Sequence, residues 1–179
     1  MVYEIPALVF LAALWRKGSL RRLTDTSIRY SYLIITCLLI QVAAMLLDNY
    51  IAWVEGTFFW WITLSYLMLA FCCWANRQLP GFLLFGSGLL MNFLVISANG
   101  GRMPVSEAAL HWAGLSAYIP MLQSGLTKHQ LLTEATRLVF LADIIPLRPP
   151  FVFGRMVVSV GDLAVTIGFS RFLYKRMTR

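Results

Sequence analysis

Two aspartates, Asp143 and Asp162, lie in a chain with little polar surface to receive them. Asp143 closes an amphipathic stretch and is followed by Ile144-Ile145-Pro146. Asp162 sits in Ser159-Val160-Gly161-Asp162, near the start of the last long apolar run. If that run crosses a bilayer, the carboxyl lies about a turn or two below the surface. Hydrocarbon cannot solvate a carboxylate, so such a residue faces a bundle interior or a wet cavity. Two carboxyl groups held close together do not both ionise; one keeps its proton, and the pair can deprotonate water and protonate a leaving group. On that chemistry Asp143 and Asp162 are the candidate catalytic residues, with Asn99 and Arg102 placed to orient a substrate. The same residues also fit a structural arrangement, with Asp162 neutralised by Arg102 or Arg155 and Asp143 closing a loop.

Composition decides what kind of element must position them. The 179 residues are 59% hydrophobic and 13% charged, about half the charged fraction of a soluble domain. Mean hydropathy is +0.72. The expected class is an all-α, multi-pass membrane bundle in a bacterial inner membrane, with the lipid bilayer as its first partner. A net charge of +7 does not indicate nucleic acid here, because the basic residues cluster at the ends of the apolar runs. Cys37, Cys72 and Cys73 all fall inside apolar runs, without metal-ligand spacing, and are expected as small buried residues. His111 and His129 could ligate a haem or pigment in principle, but both fall on external amphipathic stretches and read as interfacial. No CxxC or Cys/His metal spacing occurs, so no metal is expected; there is no P-loop, dinucleotide fingerprint or nucleophile elbow, and the sequence leaves the cofactor unknown.

Five spans are expected, at about 2–16, 30–47, 57–75, 80–98 and 155–174, in one integral-membrane domain. Met1-Val2-Tyr3-Glu4 lacks the basic start of a signal peptide, so the first run is expected to remain as a span. Gly86, Ser87 and Gly88 form a small-residue face in the fourth run, with Asn92 deep inside it. Asn99-Gly100-Gly101 then predicts a tight turn into an external cap, 99–154. Two interfacial helices are expected in the cap. One runs from Glu107 to about Tyr118; the other is opened by a capping box, Thr127 to Gln130, and carries Leu131, Ala135, Leu138 and Ala142 on one face. In this arrangement ten of the fifteen basic residues lie inside, which places the N-terminus outside and the C-terminus in the cytoplasm.

Two local patterns occur together: Asn92-x-x-Val95-x-x-x-Asn99-Gly100-Gly101-x-Met103-Pro104, and Asp143-Ile144-Ile145-Pro146 with Ser159-x-Gly161-Asp162. The chain thereby resembles a family of small bacterial multi-pass membrane proteins of unknown function, which implies a membrane fold and supplies no activity. More weakly, the two aspartates resemble the dyad of the lipoprotein signal peptidases, and on that resemblance only Asp143 and Asp162 carry over. The expectation is an aspartate-dyad hydrolase acting on a membrane-borne, lipid-like substrate at the outer surface. The alternatives are a component that binds or transports a small molecule or lipid, and an accessory subunit with a membrane-protein partner.

Overall fold

The fold is described from a computed structural model for residues 2–47, 52–124, 128–150 and 154–178, the side chains of 45 and 52–56 excepted. Helices α1 (Glu4–Trp15), α2 (Leu20–Thr24), α3 (Ser31–Leu47), α4 (Ala52–Ala75) and α5 (Phe82–Ala98) come first. A mixed segment follows, with β1 (Met103–Val105), α6 (Glu107–Ala113), α7 (Ile119–Gln123), β2 (His129–Leu131), β3 (Ile145–Leu147) and β4 (Met156–Val158). Helix α8 (Val160–Thr178) is the last element among the described residues. The longer helices pack side by side in the order α3, α4, α5, α8, α1.

The protein is therefore mostly helical, with a few short strands. Among the described residues one stretch, Thr57–Ala75, is long and apolar enough to cross a membrane, at 19 residues. Glu4–Trp15, Ser31–Ala44 and Phe82–Ala98 are shorter apolar helices. Helix α8 has the length, but Asp162, Arg171, Lys175 and Arg176 lower its hydropathy.

Glycines set the closest packing, between α5 and α8. A Cβ on Gly88 would lie 2.5 Å from the Gly161 carbonyl oxygen, and one on Gly168 would lie 2.5 Å from the Phe85 nitrogen. Gly81, at φ +89°, abuts Gly168 in turn. The two glycines on each segment are seven residues apart, two helical turns, so one face of α5 meets one face of α8 at two levels. Gly86 points elsewhere, with its missing side chain facing Cys73 on α4. Cys37, Cys72 and Cys73 are buried free thiols.

The cap differs from expectation. Its first helix stops at Ala113, because Gly114 takes a left-handed conformation (φ +71°); a 3-10 turn and α7 continue the path. The second expected helix is not formed. His129–Leu131 is instead strand β2, paired in parallel with β1 in the register Met103 to His129 and Val105 to Leu131. A turn follows in which the Thr136 hydroxyl accepts from the Thr133 backbone, and a 3-10 turn covers Val139–Leu141. The helical spacing of Leu131, Ala135, Leu138 and Ala142 competes with long-range pairing to β1, and the pairing wins. Of the expected capping box, Thr127 lies outside the described residues, and the Gln130 amide donates to the Asn99 carbonyl. The last helix also starts later than expected, because Met156–Val158 pairs antiparallel with Ile145–Leu147.

Candidate functional site

The site begins with the serine ahead of α8. The Ser159 hydroxyl accepts from the Asp162 backbone N–H at 2.9 Å, the reach of a helix-capping side chain. The same hydroxyl donates to Asn92 Oδ1 at 2.9 Å, and Asn92 Nδ2 donates to Asp162 Oδ1 at 3.0 Å. Ser159, Asn92 and Asp162 thus form a closed ring between α5 and α8, at the level of the Gly88–Gly161 contact. Only glycine at 161 leaves room, since a Cβ there would collide with Asn92 Oδ1. Asp162 stands in the first turn of α8, where the helix dipole favours negative charge, and Asn92 on α5 fixes its carboxyl. The next turn is tied in as well: the Thr166 hydroxyl donates to the Asp162 carbonyl at 2.7 Å and accepts from Val2 N–H at 3.1 Å.

Asp143 reaches the same place from the cap. It bridges in parallel to Val105, the last residue of β1, where its N–H donates to the Pro104 carbonyl and its own carbonyl accepts from Ser106 N–H. Its side chain is buried, Oδ1 has no hydrogen-bond partner, and Oδ2 lies 3.7 Å from His129 Nε2. Burial first, and the charge of Asp162 second, push the Asp143 carboxyl up to about 7. Burial also depresses His129, to about 4, helped by the positive charge of Lys128. The close pair is therefore a protonated acid beside a neutral imidazole near pH 6, not an ion pair.

Asp143, Asp162, His129, Asn92, Tyr66 and Gln41 all line one cavity of about 220 Å³. It lies where α3, α4, α5 and α8 meet the cap, so both expected catalytic aspartates open into a common space. Arg102 is half-buried between Gly101 and Met103, two further lining residues. Asn99 holds the cap to the bundle. Its amide donates to the Val95 and Arg137 carbonyls and accepts from Arg137 N–H, which leaves it as a brace for the loop beside the cavity. Gly100 and Gly101 both have positive φ, as the expected tight turn requires. Among the described residues no three His, Cys, Asp or Glu side chains stand close enough together to hold a metal ion.

Residues 25–174 match a family of unknown function, DUF5317. The chain belongs to that family. Every residue of the ring and of the His129–Asp143 pair falls inside the matched stretch. An uncharacterized protein of Thermotoga maritima is 40% identical over 109 residues, which covers 60% of this chain and 58% of that protein. No solved structure matches.

In this DUF5317 chain, sequence reasoning named the two aspartates and missed the residues that hold them. Asn92 carried a signal, a carboxamide deep in an apolar helix, which needs a polar partner there. His129 did not. As an interfacial helical residue it would face outward, whereas in β2 it faces Asp143. His111 does behave as a surface residue, exposed beside Glu107 and Ser116.

Proposed function

We propose that this is an inner-membrane protein of five spans, N-terminus outside and C-terminus in the cytoplasm, with an acid–base site at the outer surface that hydrolyses a membrane-borne substrate. The spans are α1, α3, α4, α5 and α8. Support for the membrane reading comes from the apolar side chains that these helices leave uncovered, such as Leu11, Leu38, Leu39, Trp60, Leu67 and Leu83, all more than half exposed. A protein surrounded by water rarely leaves so broad an apolar surface bare.

The observation that carries the hydrolytic reading is the meeting of two carboxyl groups in one cavity. Asp143 is buried, keeps its proton up to about pH 7 and has an oxygen without a partner. Asp162 is oriented by Asn92 and by the start of its helix. In the proposed reaction Asp162 removes a proton from water as the oxygen attacks the substrate. Asp143 then gives its proton to the leaving group as the scissile bond breaks. Arg102 orients the substrate at the rim, and Asn99 keeps the rim in place.

A test that assumes no particular substrate uses ¹⁸O-water. Membranes containing the wild-type protein should release a product bearing one ¹⁸O atom, and the Asp143→Asn and Asp162→Asn proteins should release none. Equal labelling in all three would overturn the hydrolytic reading.

A further inference from the structure

The opposite end of the bundle carries two adjoining hollows. One is a groove of about 270 Å³ with an apolar lining that includes Ile28, Ile34, Leu69, Phe82, Phe169 and Phe172. The other is a hollow of about 430 Å³ lined by Arg22, Asp25, Thr26, Ser27, Leu79 and Arg176. They share a wall. Ser27 precedes Ile28 in the chain, Leu79 and Ile28 pack on the cluster of Phe82, Phe172 and Leu173, and Arg176 stands one helical turn beyond Phe172. The Nε of Arg176 is buried without a hydrogen-bond partner, a donor still waiting for an acceptor. Arg22 is exposed at the same hollow, and Asp25, its one acid, lies 4.0 Å from Arg21.

We infer that these hollows bind one anionic phospholipid, its phosphate between Arg22 and Arg176 and an acyl chain in the apolar groove. The inference rests on the proposed topology, which turns this end toward the cytoplasmic leaflet. Guanidinium groups recognise phosphate oxygens by charge and by paired N–H donors, and the hydroxyls of Thr26 and Ser27 lie within the same hollow. Free phosphate would leave the adjoining groove empty. A lipid satisfies both halves, and basic pockets between spans on the cytoplasmic side suit anionic headgroups. A choline headgroup would bring a further cation against the two arginines, so phosphatidylglycerol is preferred over phosphatidylcholine.

The test is native mass spectrometry of the full chain in detergent with equal amounts of dioleoyl-phosphatidylglycerol and dioleoyl-phosphatidylcholine. The wild type should retain one phosphatidylglycerol in preference. Arg22→Gln and Arg176→Gln should each cut that preference about fivefold. Ile34→Trp, which enlarges a side chain in the lining of the groove, should weaken both lipids while leaving the preference intact. Arg22 is exposed and outside the helix core, so its variant carries the test even if Arg176→Gln does not fold. Equal retention of the two lipids by the wild type, or an unchanged preference in Arg22→Gln, overturns the site. Complete displacement by inorganic phosphate overturns the lipid assignment. A C-terminal reporter distinguishes the two levels: lost preference with a cytoplasmic reporter faults the lipid site alone, and intact preference with an external reporter faults the topology alone.

Discussion

At the scale of single residues, Asp143 and His129 bias the fold in opposite directions. Asp143 has its carboxyl raised from 3.8 to about 7, so the folded chain holds a proton that the unfolded chain releases across that interval. Its contribution to stability therefore falls as pH rises from about 4 to 7. His129 is lowered from 6.5 to about 4, so the unfolded chain takes up a proton that the folded chain refuses. Its contribution rises over nearly the same interval. The wild type should show a shallow pH dependence between pH 4 and 6.5 because the two slopes oppose. Thermal unfolding in one detergent should separate them: Asp143→Asn should gain stability as pH rises from 4 to 6.5, and His129→Gln should lose it from 4 to 7. Above pH 7, Asp143→Asn should melt higher than the wild type, by on the order of 4 °C. Slopes of the same sign in the two variants would refute burial as the governing cause. Asn92 offers a second check. Asn92→Ala removes the acceptor of Ser159 and a donor to Asp162, and should cost about 1–3 kcal/mol, read as a lower melting temperature.

At the scale of elements, α5 and α8 are the pair on which the cavity depends. Asn92 and Asp162 reach each other only because Gly88 and Gly161 let the two backbones approach. Gly88→Ala places a Cβ 2.5 Å from the Gly161 carbonyl oxygen, a contact with backbone that a side-chain rotation cannot relieve. It should destabilise by about 1–3 kcal/mol or more and break the ring. Gly154→Ala is the control. Its Cβ would meet nothing closer than 3.5 Å, and its melting temperature should stay near the wild-type value. Equal losses in the two variants would show that the close approach of α5 and α8 is not what sets their packing. The cap makes the complementary point. Its second expected helix had correct spacing and lost to strand pairing, since three residues of β1 offered backbone partners that a local helix could not match for position.

At the scale of the whole molecule, the cavity lined by Asn92 and Asp162 and the hollow lined by Leu79 and Arg176 lie at opposite ends of α5 and α8. With the proposed orientation, a reporter fused after Arg179 should lie in the cytoplasm, and one inserted between Ser124 and Lys128 should lie outside. Finding both on one side would overturn the five-span arrangement and, with it, the outer position of the acid–base site. The ¹⁸O experiment is independent of that outcome, because labelling depends on Asp143 and Asp162 sharing a cavity and not on which side it opens.

The sequence by itself determined the long helices: apolar runs with charge at their ends mark α1, α3, α4, α5 and α8 to within five residues, since apolar character is a local, additive property of the run. It also singled out Asp143 and Asp162, because a carboxylate in such surroundings stands out wherever it lies. Tertiary structure alone decided what those carboxylates meet. Asn92 and Asp162 are 70 residues apart and are joined through a glycine contact that neither segment displays by itself. His129 reaches Asp143 through β2, whose pairing with β1 spans a cap that helical periodicity describes wrongly. Hydrogen-bond partners and packed glycines are relations between distant segments, and no window along a single segment contains them.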